Sequence, residues 1–246
     1  MDIGLADRTV IVTGASGGIG GALVRLLSLE GAHLVLVGGR SEHLEKTCAS
    51  LPRDSVIQVV PGDFRRPEDR RSCAHAVRRL AVIDGFVFLP AELRTDPVKD
   101  ARMTEVRESF DVTFFAAFEL AQAVLSRSAA GTSLVFLSSI DAHRHPTNPA
   151  SASYDSAKRA LESLAESIAV ESGSSGVRSN CIVPGLVRTS MTKDFFTPEF
   201  DRQRAAFLQA VPLTRAGTPE EVAQVIAFLL SPAAAGIGDV EEVAVQ

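Results

Sequence analysis

Short apolar runs alternate along the chain with longer stretches of mixed apolar and polar positions. The runs fall at residues 10–12, 34–37, 56–60, 86–89, 134–137 and 179–183, and they are mostly apolar at successive rather than alternate positions. Such runs predict strands buried on both faces, as in a parallel sheet covered by helices. Helical patterns lie between them: to about Glu30 with Gly31 as terminator, over 41–50, from Pro67 to about Leu80, and over 104–126, 153–171 and 219–230. Gly after the last turn and Pro at the first turn are the usual helix punctuation. Strand-then-helix order, repeated without an internal repeat or linker, predicts right-handed crossovers. The expected fold is α/β, a Rossmann-type doubly wound parallel sheet of about seven strands with helices on both faces. A single domain spans 1–246.

Composition narrows the function classes. The chain has 246 residues, 46% of them hydrophobic, and carries 25 basic against 30 acidic residues for a net charge of −5. A mildly acidic surface offers no bulk attraction to nucleic acid or anionic lipid. The basic stretch Arg65, Arg66, Arg70 and Arg71 alternates with Glu68 and Asp69 and reads as a solvated helix start. Cys48, Cys73 and Cys181 form no closely spaced pair, which fits free thiols in a reducing, cytoplasmic setting. No His/Cys cluster has zinc spacing. No signal sequence and no apolar run long enough for a membrane span are expected.

The chemistry begins at Thr13-Gly14-Ala15-Ser16-Gly17-Gly18-Ile19-Gly20, directly after the first strand and opening a helix. Residues without a Cβ allow a tight turn and close backbone approach to a diphosphate, and the helix N-terminus presents free N–H groups and a positive dipole end. The spacing is not that of a P-loop, which needs Gly-Lys-Ser/Thr. Tyr154 and Lys158 lie four apart on a predicted helix and therefore share a face. A phenol is a poor acid–base group near neutrality, and a neighbouring ammonium is the means of adjusting it. Tyr154 is the only tyrosine. Ser138 and Ser139 close the fifth strand, at the carboxyl edge where open parallel sheets bind ligands. Either could cap the strand end.

Taken together, Thr13-Gly-xxx-Gly-Ile-Gly20, Asp63, Tyr154-xxx-Lys158, Asn180, Pro184-Gly185 and the run from Pro212 to Val222 resemble the short-chain dehydrogenase/reductases, in family order over nearly the whole chain. The look is nearest to 3-oxoacyl-carrier-protein reductases. The resemblance implies hydride transfer between a nicotinamide cofactor and a carbonyl carbon. It makes Tyr154 the proton donor, Ser139 the substrate-orienting hydroxyl, and Lys158 the residue that tunes Tyr154 and holds the nicotinamide ribose. It sets Gly14, Ser16, Gly18, Ile19, Gly20, Asp63, Phe64 and Ala91 along the cofactor, with Pro184, Gly185, Val187 and Thr189 at the nicotinamide. A substrate lid is implied over about 189–215, where Phe195, Phe196, Phe200 and Phe207 suggest an apolar pocket, with His143, Arg144 and His145 lining the entrance. Arg144 could meet an anionic carrier group. A homodimer or homotetramer built on the two long helices is expected, acting on a small-molecule or carrier-bound carbonyl.

Several positions depart from the family. Phe88-Leu89-Pro90-Ala91 stands where Asn-Asn-Ala-Gly is usual, Thr113 stands where an asparagine holds a relay water, and the tail from Gly238 to Val243 is short and acidic. They motivate a rival reading, a weakly active or inactive relative that serves as a nucleotide-binding partner subunit. The second strand ends Val37-Gly38-Gly39-Arg40 with no acid to accept the ribose hydroxyls. Arg40 there predicts NADP(H) in preference to NAD(H), since a guanidinium grips a phosphate bidentately.

Overall fold

The computed structural model describes residues 3–95, 97–143, 151–209, 211–238 and 243–245. Seven parallel strands form one sheet: β1 (Thr9–Thr13), β2 (His33–Val37), β3 (Ile57–Val60), β4 (Gly85–Phe88), β5 (Ser133–Leu137), β6 (Arg178–Pro184) and β7 (Val243–Val245). Their order is β3-β2-β1-β4-β5-β6-β7. The direction of winding reverses between β1 and β4, which opens a crevice at their carboxyl ends.

Helices cover both faces. α1 (Gly18–Leu29), α2 (Ser41–Ala49) and α8 (Pro219–Leu230) lie with one apolar core, built on Val12, Leu36, Val87 and Val135. α3 (Pro67–Arg78), α5 (Ala116–Leu125) and α6 (Ala152–Ser172) enclose the other, built on Ile11, Phe86, Phe88 and Phe136. Burial on both faces explains the continuous apolar runs of β1, β2, β4 and β5. β3 is different: it is a sheet edge, and Val59 is 37% exposed.

Two helical expectations are corrected. The long helix over 104–126 is three pieces: α4 (Met103–Phe110), a π-helical turn (Asp111–Phe115) and α5. Wide turns of this kind recur at functional sites, and Thr113 lies in this one. The basic stretch is not wholly solvated. Arg65 and Arg66 pair with Asp63 and Glu68 at the surface, but Arg70 is only 5% exposed. Its guanidinium holds Asp111 at 3.0 Å and Glu119 at 2.9 Å and donates to the Phe64 carbonyl at 2.7 Å. A helix-surface pattern cannot anticipate carboxylates that arrive from a distant turn. The lid region contains α7 (Asp201–Gln209), an element absent from the expectation.

Candidate active site

The glycine turn is built as the spacing requires. Gly14 has φ of +72°, and a Cβ on Gly20 would stand 2.1 Å from the Gly14 carbonyl oxygen, so neither position tolerates a side chain. Gly18 heads α1, where a Cβ would meet Thr189 at 3.0 Å. Thr189 therefore leans directly over the turn. On its other side the turn rests on Leu89 and Pro90, 3.2 and 3.4 Å from a Cβ on Gly14. Thr13 ties the two strand ends together: its hydroxyl donates to the Val87 carbonyl at 2.9 Å and accepts from the Leu89 amide at 3.3 Å.

The positions that replace the usual asparagines serve packing. Phe88 is fully buried and stacks on Phe64 at 6.3 Å. Phe64 in turn lies across Gly38, whose Cβ would come within 2.3 Å of the ring. Asp63 is held by Arg65 through two bonds of 3.0 and 3.1 Å, which pull its carboxyl below the usual range. At the end of β2 there is no carboxylate. Gly39, with φ of +83°, would meet only the Ser16 hydroxyl, 3.9 Å from an added Cβ. Arg40 is exposed beside it, with Nη2 3.0 Å from His43 Nε2.

Across the crevice, β5 ends at Leu137 and the chain turns through Ser139, which caps the short 3-10 turn Ile140–Ala142 by accepting from the Asp141 amide at 3.3 Å. The Ser139 hydroxyl lies close enough to the Tyr154 phenol to oppose the rise in its proton affinity. Tyr154 and Lys158 occupy one face of α6, with Lys158 Nζ 5.7 Å from the Tyr154 ring centroid and donating to the Leu137 carbonyl. Ser139, Tyr154 and Lys158 are thus gathered at the carboxyl end of β5. Ser138, which the sequence reading sets aside in favour of Ser139, turns away from them to Glu162.

The electrostatics differ from expectation. Burial pushes the Tyr154 phenol up to about 12, opposed by the Ser139 hydrogen bond, with Asp141 and Asp155 adding to the rise. Burial pushes the Lys158 ammonium down to about 8, opposed by Cys181 and Glu162. Burial thus outweighs the lowering of the phenol by its neighbours.

Thr113 is fully buried, and its hydroxyl has no hydrogen-bond partner among the described residues. The π turn that carries it packs against α6. Pro184 ends β6 and Gly185 follows it. Val187 bridges to Gly217, and Gly217 donates to the Leu186 carbonyl at 2.8 Å. Asn180 donates to the Ile237 carbonyl at 3.3 Å. Of the four lid phenylalanines, Phe196, Phe200 and Phe207 each pack on Phe195, with centroids 5.9–6.4 Å apart, and among them only Phe207 lines an apolar cavity of about 400 Å³ that begins at Ile140 and Gly185. His143 lies against Glu162. Arg144 and His145 lie outside the described residues, and among those described no cluster of His, Cys, Asp or Glu could hold a metal. No described helix is long and apolar enough to cross a membrane.

A doubly wound sheet with a glycine turn at its switch point is the architecture of the dinucleotide-binding folds. Comparison with known proteins narrows the class. A family model described as enoyl-(acyl carrier protein) reductase matches residues 14–240. The 3-oxoacyl-[acyl-carrier-protein] reductase FabG of Rickettsia conorii is 28% identical, over 96% of this chain and 94% of its own. The A-factor type gamma-butyrolactone 1'-reductase (1S-forming) of Streptomyces virginiae is 33% identical, over 92% and 90%. Among solved structures, the short-chain dehydrogenase/reductase SDR:Glucose/ribitol dehydrogenase from Brucella melitensis aligns with a TM-score of 0.88 at 29% identity, covering 100% of this chain and 97% of that one. L-sorbose reductase from Gluconobacter frateurii, complexed with NADPH and L-sorbose, aligns at 0.85 and 25%, with 100% and 97% covered. The chain belongs to the short-chain dehydrogenase/reductase family, a family of oxidoreductases whose fold binds a nicotinamide cofactor.

Proposed function

We propose that the protein is an NADP(H)-dependent reductase that converts a ketone on an apolar chain to a hydroxyl. The observation that carries this reading is the gathering of Ser139, Tyr154 and Lys158 at the carboxyl end of β5, with Lys158 Nζ 5.7 Å from the Tyr154 ring and donating to the Leu137 carbonyl. When bound, the reduced nicotinamide supplies a hydride to the carbonyl carbon. Tyr154 donates the proton to the developing alkoxide, and its high pKa keeps it protonated for that role at neutral pH. Ser139 donates to the same oxygen. Lys158 holds the nicotinamide ribose and tunes Tyr154. The buried hydroxyl of Thr113 would hold a relay water behind the lysine.

The glycine turn fits the cofactor, because Gly14, Gly18 and Gly20 let it close tightly at the head of α1 where a Cβ would meet the protein's own atoms. Gly14, Ser16, Gly18, Ile19 and Gly20 would hold the diphosphate. Asp63, Phe64 and Ala91 would line the adenosine end, and Pro184, Gly185, Val187 and Thr189 the nicotinamide. Ser16 and Arg40, with Gly39 leaving space between them, support a ribose 2′-phosphate. The complex of the L-sorbose reductase with NADPH agrees with this preference.

For the substrate, the cavity beside Ile140 and Gly185 is lined by Leu186, Phe207, Val211, Leu213 and Phe228. Its two charged residues, Arg215 and Glu221, are joined by bonds of 2.9 and 2.5 Å and so are spent on each other. Such a wall suits an alkyl or acyl tail, and a 3-oxoacyl thioester has its ketone at the right end. The names of the Rickettsia and Streptomyces relatives point to similar chemistry. Segment 189–215 would close over it as a lid. A homodimer or homotetramer is proposed through α5 and α6, where Phe114 and Phe118 line a groove with Ala160 and Leu164.

The test is NADPH consumption with 3-oxoacyl N-acetylcysteamine thioesters of increasing chain length. The reading requires kcat/KM to rise with chain length. Tight NADPH binding with no turnover on any chain would favour the rival, a nucleotide-binding partner subunit, to which the capture of Asp63 by Arg65 also lends support.

A further inference from the structure

The carboxylate of Glu162 is buried in the body of α6, only 4% exposed, one turn beyond Lys158. A buried carboxylate needs partners, and removing them leaves a charge that is costly to bury. Glu162 has three. Its Oε1 accepts from the Ser138 hydroxyl and lies 3.0 Å from His143 Nε2. Its Oε2 accepts from Arg159 Nη1 at 2.7 Å. The guanidinium of Arg159 also lies 3.0 Å from His143 Nδ1.

Two of these partners matter for their place in the chain. Ser138 immediately precedes Ser139, and His143 immediately follows the turn Ile140–Ala142 that Ser139 caps. Glu162 therefore grips the turn at both ends. The grip comes from the same rigid helix that carries Tyr154 and Lys158. Ser139 reaches the site from the sheet and the other two from α6, so their mutual placement depends on how these elements are tied.

We propose that Glu162 is a positioning residue that locks the Ser139 hydroxyl in register with Tyr154 and Lys158 through Ser138 and His143. Glu162 touches neither substrate nor cofactor. Its effect passes through the turn, and its proximity to Lys158 adds a favourable charge beside that buried ammonium. This assignment rests on the reading of Ser139 and Tyr154 as the groups that engage the carbonyl oxygen.

The test compares Glu162→Ala, Glu162→Gln and Ser138→Ala with the parent and with Tyr154→Phe, using a 3-oxoacyl N-acetylcysteamine thioester and NADPH. Misplacement of a reacting group by an ångström can remove about 10²-fold of rate. Glu162→Ala should lower kcat by about 10–100-fold with the NADPH dissociation constant, read by fluorescence, unchanged. Glu162→Gln keeps an acceptor for Ser138 and should recover most of the loss. The Ser138→Ala and Glu162→Ala losses should be strongly non-additive, since both cut one connection. The proposal is overturned if Glu162→Ala keeps the parent kcat, if Glu162→Gln is as impaired as Glu162→Ala, or if the two losses simply add. Should Glu162→Ala fail to fold, Ser138→Ala alone must still lower kcat without weakening NADPH. Tyr154→Phe separates the two failures: full activity there would remove the underlying reading, whereas lost activity there with indifferent Glu162 variants would remove the clamp alone.

Discussion

Lys158 Nζ stands 5.7 Å from the centre of the Tyr154 ring, one turn further along α6, and both groups are almost wholly buried. Nothing in a four-residue spacing reveals that the pair would be dry. Yet dryness sets both proton affinities, holding the phenol protonated and weakening the ammonium.

Burying Lys158 opposes folding. Its pKa falls from 10.5 to about 8 in the folded chain, a penalty of up to roughly 3 kcal/mol at about 1.4 kcal/mol per unit. Because the folded value is depressed, the unfolded chain binds more protons between about pH 8 and 10.5, so this contribution makes stability rise with pH across that window. Below about pH 8 the penalty is fully present. Lys158→Met should therefore melt no lower than the parent at pH 7 while losing about 10²-fold or more in turnover, by thermal denaturation and NADPH consumption.

The buried Thr113 hydroxyl separates stability from function in the same way. The near-isosteric Thr113→Val gives up at most one hydrogen bond, so it should change the stability of the free protein by no more than about 1.5 kcal/mol. If the hydroxyl holds a relay water, the same change lowers kcat, and Thr113→Asn raises it above the parent. Calorimetry paired with steady-state rates checks both.

Cofactor choice is expected to turn on the end of β2. Gly39 has open space around it, and Asp is among the side chains that best tolerate a positive φ. Gly39→Asp should shift preference from NADPH towards NADH, because a carboxylate accepts ribose hydroxyls and repels a phosphate. Arg40→Ala should weaken NADPH by about 1.5–3 kcal/mol, the range of a hydrogen bond to a charged group, and leave NADH unchanged. Fluorescence titration with both nucleotides measures this, and equal loss for both would reject it.

The α5–α6 groove should be covered by a second copy of the chain. Phe115 and Phe118 are 45% and 41% exposed, within a chain of ring contacts that runs from Phe110 to Phe118. Phe118→Glu should convert the assembly to monomer in sedimentation equilibrium. A parent protein that is already monomeric at micromolar concentration would contradict the expectation.

Much of this was legible beforehand. Buried strands announce themselves as unbroken apolar runs, and the glycine turn and Tyr154-xxx-Lys158 carry their chemistry in local spacing. Contacts that depend on tertiary closure were not legible. Arg70 looked like a surface residue until Asp111 and Glu119 met it from another helix. The π turn at Thr113 interrupts a pattern that is helical on either side, since one inserted residue barely disturbs apolar periodicity. Glu162 carried no signal at all, because a glutamate in a helix is ordinarily solvated and two of its partners lie 19 and 24 residues away.

The most direct test of the account is the rate of NADPH consumption by Tyr154→Phe on a 3-oxoacyl thioester, with NADPH affinity read in parallel. Tyr154 is the only tyrosine, so no other phenol can replace it. The account predicts that turnover falls by about 10²–10⁴-fold, the usual worth of a positioned proton donor, with NADPH bound as tightly as before. Turnover near that of the parent would contradict it.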